Sequence, residues 1–161
     1  MLDPQHMQVI VTNPDVFAPD GSMQQFTQGS ELAAGYDLVA WPEGVVEVVP
    51  GEKATLVPLG IRLHIKHPNL VGMVYPRSGL GHKHGLTLGN TTGVIDADYQ
   101  GEMFVSLYNR SDKTFYINPG DRIAQIVFQY VHHPKFEIVE EFGAFTARGE
   151  GGFGSTGVSL N

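Results

Sequence analysis

The chain has 161 residues, of which 42% are hydrophobic and 17% charged, so its composition is that of a folded globular protein. The formal net charge of -7 argues against broad binding to nucleic acid or to an anionic membrane, since both require a basic protein surface. The absence of cysteine excludes disulfides, thiolate metal sites and cysteine nucleophiles. No run approaches a transmembrane length, so we expect a soluble, intracellular (cytoplasmic) protein of one domain, residues 1–161.

The first third of the chain predicts two short strands separated by a long loop. Residues 7–11 have the composition of an opening strand. Residues 14–30 are rich in Pro, Gly, Ser and Gln, which predicts a variable loop or insertion, and no motif in them indicates a function. Residues 33–40 form an apolar strand that contains Asp37. An acid among such neighbours is either a hydrogen-bonded structural group or part of a metal site.

The middle of the chain continues with short strands. Residues 45–49 and 54–58 flank a Pro-Gly turn, which predicts a hairpin. Further strands are expected at residues 61–65 and 70–75.

The segment after the strand at 70–75 combines helix signals with phosphate-binding residue types. Pro76 at its start and Gly85 at its end predict one or two helical turns. Arg77, the Ser78 hydroxyl and the unhindered Gly79 amide suit a phosphate group. The alternative is an ordinary strand-to-turn junction with a surface arginine.

Residues 90–101 contain the most informative pattern. Two apolar residues lead into Asp96 and Asp98, whose side chains would share a face on extended backbone. A carboxylate pair at a strand end suits water activation or metal binding, and Gly93 and Gly101 predict a tight hairpin around it. The alternative is a solvated acidic turn.

The last third of the chain predicts further strands and a glycine-rich end. Strands are expected at residues 102–108, 114–117, 122–132 and 136–139. Residues 123–131 alternate between two faces that are both uncharged, which predicts that this strand is covered on both sides. Gln125 and Gln129 then need partners, as core amides, at a site or at a subunit interface.

Together these patterns predict an all-β fold, a distorted jelly roll or β-barrel of many short strands with one short helix after Pro76. Residues 146–161 predict a flexible glycine-rich C-terminal arm that either orders over an anionic ligand with a flat ring or is a disordered tail.

Five segments, in order, resemble the five motifs of the trimeric deoxyuridine triphosphatases (dUTP pyrophosphatases): residues 34–38, 76–80, 93–101, 120–125 and 148–157. The resemblance implies hydrolysis of dUTP to dUMP and pyrophosphate by Mg²⁺-assisted attack of water on the α-phosphorus. This reaction limits uracil incorporation into DNA and supplies dUMP for thymidylate synthesis. The resemblance also implies a homotrimer with sites between subunits and no nucleic-acid or membrane partner.

The resemblance assigns the chemical step to three residues. Asp96 resembles the carboxylate that activates the attacking water, and Gln125 lies near that water. Asp37 resembles the acid that contacts Mg²⁺ through a water molecule. The triphosphate itself provides most of the ligands of this Mg²⁺.

The other implied site residues contact the substrate. The residues that resemble the family's phosphate contacts are Arg77, Ser78, Gly79 and Gln125. Tyr99 resembles the residue that packs under the deoxyribose. The residues that resemble the family's uracil-reading edge are Asn90, Gly93, Val94 and Ile95. The arm resembles a segment that closes over the substrate through Arg148, Phe153, Gly154, Ser155 and Thr156, with Phe153 stacked on uracil.

Two other functions are compatible with this fold. One is a dCTP deaminase-like enzyme, which would not need the Asp-x-Asp-Tyr pattern, and the other is a non-catalytic, regulatory jelly-roll module. The chain departs from the simplest family pattern at Gly79, where many members carry a second serine, and in the length of residues 14–30.

Overall fold

β-Strands dominate the computed structural model, which describes residues 6–152. Within this part of the chain there are ten strands, one α-helix and a 3-10 turn at Pro14–Val16. The strands are β1 Gln8–Val11, β2 Tyr36–Val39, β3 Val46–Val48, β4 Thr55–His64, β5 Leu70–Pro76, β6 Leu86–Leu88, β7 Gly93–Ile95, β8 Glu102–Asn109, β9 Phe115–Ile117 and β10 Arg122–Tyr130; the helix is α1 Ser78–His84. The prediction of an all-β fold of many short strands with one short helix is confirmed.

The strands form two four-stranded sheets and one two-stranded sheet. The orders are β1-β4-β8-β6, β2-β10-β5-β7 and β3-β9, and the neighbours are antiparallel. Apolar side chains from both larger sheets pack in one core, because alternate residues of each strand point inward. The core includes Leu38, Leu59, Ile61, Leu63, Met103, Leu107 and Ile126.

The helix α1 begins and ends as its flanking residues predict. Gly85 ends it in the left-handed conformation, with φ of 67°, and its N–H donates to the Leu80 carbonyl. A side chain at Gly85 would also meet Ser111, because an added Cβ would lie 3.0 Å from that residue.

None of the helices within residues 6–152 has the length and apolar character of a membrane-spanning helix.

Two predicted hairpins are wrong. Residues 45–49 and 54–58 do not pair: β3 pairs with β9, whereas β4 pairs with β1 and β8. Likewise β7 pairs with β5, so Gly93 and Gly101 do not bracket a hairpin. The strands predicted at residues 54–58 and 61–65 are also one continuous strand, β4. In both cases packing between residues distant in sequence selects the partner strand.

β10 occupies the centre of its sheet, yet one part of it is open. Ala124 and Ile126 are fully buried, whereas Gln129 and Tyr130 are exposed. The prediction that both faces are covered along the whole strand is therefore not met within a single chain.

The strand predicted at residues 136–139 is also wrong. Residues 131–152 contain no strand, and the side chains of Phe136 and Ile138 are 91% and 100% exposed. β-Forming residues without a neighbouring strand have no ladder to join, so the local propensity alone does not form a strand.

Candidate active site

One pocket lies where β2, β10 and β5 run side by side. β10 pairs with both neighbours, and this register sets Gln125 opposite Asp37 on one side and Tyr75 on the other. The pocket has a volume of about 410 Å³, and its lining includes Asp37, Arg77, Ser78, Arg122 and Gln125. The fold thus brings together four of the residues that the sequence predicts for the phosphate and metal end of a site.

Asp37 is paired with two arginines at this pocket. Its carboxylate forms an ion pair with Arg77, whose Nε lies 3.1 Å from it, and accepts a hydrogen bond from Arg122 Nη1 at 3.4 Å. The Asp37 side chain is only 13% exposed. Arg77 also donates to the Arg122 backbone carbonyl at 3.2 Å. Two guanidinium groups around one carboxylate leave the pocket with a net positive charge, which favours an anionic ligand.

Arg122 is a site residue that sequence reasoning missed. It belongs to the segment 120–125, which the family resemblance singled out, but no role was assigned to it. Its pairing with Asp37 spans 85 positions of sequence, so only the register between β2 and β10 reveals it.

Gln125 is held by its neighbours in a defined orientation. Its Nε2 donates to the Pro76 carbonyl at 3.1 Å, at the end of β5. Gly35 faces its other end, where an added Cβ would lie only 2.7 Å from Gln125 Oε1. A glycine at position 35 therefore provides the space in which this amide lies.

Ser78 and Gly79 form the exposed start of α1 beside this pocket. A Cβ added to Gly79 would meet nothing within 4 Å, so the backbone there is open to an approaching ligand. The serine that many family members carry at this position would fit the same space.

A second pocket surrounds the predicted catalytic carboxylate. Its volume is about 510 Å³, and Asp96, Asp98, Val94 and His133 contribute to its lining. Both carboxylates are exposed to solvent. His133, which the sequence did not single out, bonds through Nε2 to the Pro68 carbonyl at 2.8 Å.

The backbone before Asp96 is packed closely against β5. A Cβ added to Gly93 would lie 3.0 Å from Val74 Cβ, so a larger residue would separate β7 from β5. Thr91 adopts a left-handed conformation with φ of 60°, in the exposed turn that also contains Asn90. The predicted base-reading edge is therefore formed by a turn and a short edge strand.

Tyr99 lies across Gly101. An added Cβ at Gly101 would be 2.5 Å from the Tyr99 hydroxyl oxygen, which donates to the Glu102 carbonyl at 2.8 Å. This bond holds the ring against the backbone and leaves it 40% exposed.

The two pockets lie far apart within one chain. Ile95 pairs with Gly72, and continuing this register by one residue sets Asp96 opposite Val71. Arg77, which directly follows β5, lies six residues after Val71, which corresponds to about 20 Å of extended chain. One chain therefore does not bring Asp96 to the phosphate and metal pocket.

Only part of the predicted arm lies in the described residues. Arg148 is exposed, and its Nε donates to the Gly151 carbonyl at 2.8 Å. The predicted residues Phe153, Gly154, Ser155 and Thr156 lie outside the described part of the chain.

The acidic residues do not form a protein-only metal site. No group of three or more His, Asp or Glu side chains suitable for a metal ion occurs among residues 6–152. Asp37 is a single carboxylate next to a cationic pocket. This arrangement fits Mg²⁺ that is bound mainly by substrate phosphates, with at most one protein carboxylate contributing.

Comparisons with known proteins place the chain in one family. The dUTPase family model matches residues 22–157. The chain is 52% identical over 131 residues to the deoxyuridine 5'-triphosphate nucleotidohydrolase of Escherichia coli O7:K1, a match that covers 81% of this chain and 85% of that protein.

Solved structures show the same fold. A mutant dUTPase of Staphylococcus bacteriophage 80alpha with dUpNHpp superposes with a TM-score of 0.76 at 26% identity, covering 95% of this chain and 99% of that one. A mutant dUTPase from phage phi11 of S. aureus, described with a structural Mg(II) ion, superposes with a TM-score of 0.72 at 23% identity, covering 86% and 99%. The chain belongs to the dUTPase family.

Proposed function

We propose that the protein hydrolyses dUTP to dUMP and pyrophosphate by attack of water on the α-phosphorus. The observation that carries this proposal is the family match over residues 22–157, with the five motif segments in order. The same match supports treating residues 1–161 as one domain. Because dUTP is an intracellular nucleotide and the chain has no cysteine, we propose that the protein acts in the cytoplasm.

The cationic pocket would hold the phosphate chain. Arg77 and Arg122 carry permanent charge, and the Ser78 hydroxyl and the Gly79 amide are exposed beside them. A protein of net charge -7 gains little from long-range attraction of an anion, so local cations and amides must provide the binding. When bound with the triphosphate, Mg²⁺ would neutralise part of its charge and polarise the phosphoryl oxygens.

The turn and strand at residues 90–95 would recognise uracil. The backbone of Gly93, Val94 and Ile95, with Asn90 beside it, offers donors and acceptors at fixed positions next to β5. Cytosine reverses the donor and acceptor pattern of this edge, and a site built on hydrogen bonds discriminates by up to ~10⁴ against such a mismatch. Tyr99, held over Gly101, would exclude a ribose 2′-hydroxyl by contact.

Asp96 would act as the general base. Its carboxylate is exposed and lies at the end of β7, directly after the proposed uracil-reading residues. A base in this position accepts a proton from water on the same side as the bound nucleotide. Gln125 would help to orient that water from the pocket that holds the phosphates.

These assignments require more than one copy of the chain, and we propose a homotrimer with its sites between subunits. A general base about 20 Å from the phosphate pocket is out of hydrogen-bond range within one chain. The segment after β10, residues 131–145, almost completely exposes four large apolar side chains: Phe136, Ile138, Phe142 and Phe145. Such a surface is expected of a segment that packs on a partner. The trimeric state itself follows from the family resemblance.

The arm would complete the site. By the family resemblance Arg148, Ser155 and Thr156 would bind the γ-phosphate, and Phe153 with Gly154 would cover the uracil ring.

The test is pyrophosphate release in the presence of Mg²⁺ from dUTP, dCTP, dTTP and UTP, measured side by side with the molar mass of the protein in solution. We expect release from dUTP alone, by a species of three chains. Absence of release from dUTP would refute the proposed function, and ammonia release from dCTP would identify a deaminase instead.

A further inference from the structure

Residues 12–27 are part of the folded body, although their composition predicts a loop. The N–H groups of Thr12 and Asn13 both donate to the Gly60 carbonyl, at 2.8 and 3.1 Å, and Val16 is completely buried in the core. Gly60 has φ of 68°, and an added Cβ there would lie 2.8 Å from Asn13 Cβ. β4 is therefore shaped to receive this segment.

Gln25 joins two strands that belong to different sheets. The residue is only 2% exposed. Its Nε2 donates to the carbonyl of Val39 in β2 at 2.6 Å and to the carbonyl of Leu59 in β4 at 2.7 Å. The Val39 N–H donates to Gln25 Oε1 at 2.8 Å. Both donors and the acceptor of the amide are used, so this buried polar group is fully satisfied.

The two residues after Gln25 bond to the backbone of Asp37. The Phe26 N–H donates to the Asp37 carbonyl at 3.0 Å, and the Asp37 N–H donates to the Thr27 carbonyl at 2.7 Å. Phe26 has φ of 56°, a conformation that costs free energy in a residue with a side chain and that persists only where surrounding contacts impose it. Gln25, the adjacent residue, anchors the segment at this point through its three buried bonds.

Asp37 is thus held from both sides. β10 pairs with β2 so that Gln125 lies opposite Asp37, while residues 26–27 occupy the other edge of β2. A shift of β2 would move the carboxylate relative to Arg77 and Arg122, whose distances from it are 3.1 and 3.4 Å.

We propose that Gln25 is a positioning residue for the phosphate pocket. It fixes β2 so that the Asp37 carboxylate orients the guanidinium groups of Arg77 and Arg122 toward the phosphate chain. This inference rests on the proposed function only in taking the ligand of that pocket to be a nucleoside triphosphate. The competing explanation is that Gln25 stabilises the fold and nothing more.

The substitution that tests this is Gln25→Met, which keeps a side chain of similar length and removes the three hydrogen bonds. Gln24→Met is the matched control, since Gln24 is the neighbouring, half-buried residue. We expect Gln25→Met to raise KM for dUTP by about 10-fold with a smaller change in kcat, and Gln24→Met to change neither. Amide hydrogen exchange at Asp37 and Val39 should quicken in Gln25→Met alone.

A double-mutant cycle separates positioning from stability. If Gln25 acts through the Asp37 carboxylate, then Gln25→Met should cost less than about 2-fold in kcat/KM once Asp37→Asn is present. Additive effects on kcat/KM, or faster exchange with an unchanged KM, would overturn the proposal. If Gln25→Met does not fold, the isosteric Gln25→Glu is judged by the same criteria, and failure of both to fold would also overturn it.

Binding of inorganic triphosphate, measured by calorimetry, separates this inference from the proposed function. Wild-type protein that binds triphosphate but does not hydrolyse dUTP would refute the function and leave the inference standing, provided that Gln25→Met weakens the binding by about 5-fold or more. Equal affinity of wild type and Gln25→Met for triphosphate would overturn the inference even in an active enzyme.

Discussion

Asp96 lies beside the start of β5 and Arg77 directly after its end, about 20 Å apart along the extended chain and in two different pockets. A base that activates water must lie within hydrogen-bond reach of that water, which in turn must reach a phosphorus atom held by the arginine. One chain does not satisfy both conditions. The separation of these two residues is therefore the structural reason for proposing a site between copies.

Replacing Asp96 by Asn should remove the general base and preserve the shape of the side chain. We expect kcat for dUTP to fall by ~10² or more, while the dissociation constant of a non-hydrolysable dUTP analogue stays unchanged. Asp98→Asn is the matched control, because Asp98 lies in the same pocket and is also exposed. Turnover close to wild type in Asp96→Asn would remove that residue from the chemical step.

Replacing Arg122 by Gln should weaken substrate binding. The change removes a cation at the edge of the proposed phosphate pocket, and a hydrogen bond from such a cation to a phosphate oxygen contributes about 1.5–3 kcal/mol. We expect kcat/KM for dUTP to fall by about 10-fold or more, and less so at high salt, where the charge interaction is screened. Arg62→Gln, an exposed arginine outside this pocket, should leave kcat/KM unchanged. An equal effect of the two substitutions would show that only net charge matters.

Replacing Gly101 by Ala should displace the Tyr99 ring, because the new Cβ would lie 2.5 Å from the Tyr99 hydroxyl oxygen. If the ring excludes the 2′-hydroxyl, the ratio of kcat/KM for dUTP to that for UTP should fall by about 10-fold. Gly44→Ala is the control, since an added Cβ there meets nothing within 4 Å. An unchanged ratio in Gly101→Ala, with a displaced ring, would place the sugar filter elsewhere.

Ending the chain at Ala147 should abolish most activity and leave the fold intact. The side chain of Arg148 bonds only within its own turn, to Gly151, in the described part of the chain. We therefore expect an unchanged melting temperature and a loss of about 10²-fold or more in kcat/KM for dUTP, because the proposed γ-phosphate contacts are removed. A truncated protein that keeps full activity would show that the arm is only a tail.

Local patterns in the sequence predicted where strands lie but not which strands pair. The strands predicted at residues 102–108 and 122–132 and the short helix predicted between Pro76 and Gly85 depend on short-range chemistry. These predictions are confirmed by β8, β10 and α1. The pairing of β3 with β9, which replaces the predicted hairpin, depends on packing across about 70 residues. Phe136 and Ile138 have high strand propensity but no neighbouring strand among residues 6–152.

The candidate site was predicted in the same uneven way. Residue types that bind phosphate or activate water are visible in short motifs, so Arg77, Gln125 and Asp96 were identified. Gln25 and Arg122 were not, because the first lies in a segment of loop composition and the second acts through Asp37 on another strand. Their contacts exist only once the strands are in register.

Mixing two inactive variants tests the site between copies most directly. Asp96→Asn and Arg77→Gln, each with little activity alone, are expressed together, and pyrophosphate release from dUTP is compared with that of each variant by itself. If the two residues come from different chains, random assembly leaves both intact in about one quarter of the sites, and activity should recover toward about one quarter of wild type. No recovery from mixed assemblies, shown to contain both variants, would mean that a single chain completes the site and would contradict the proposal.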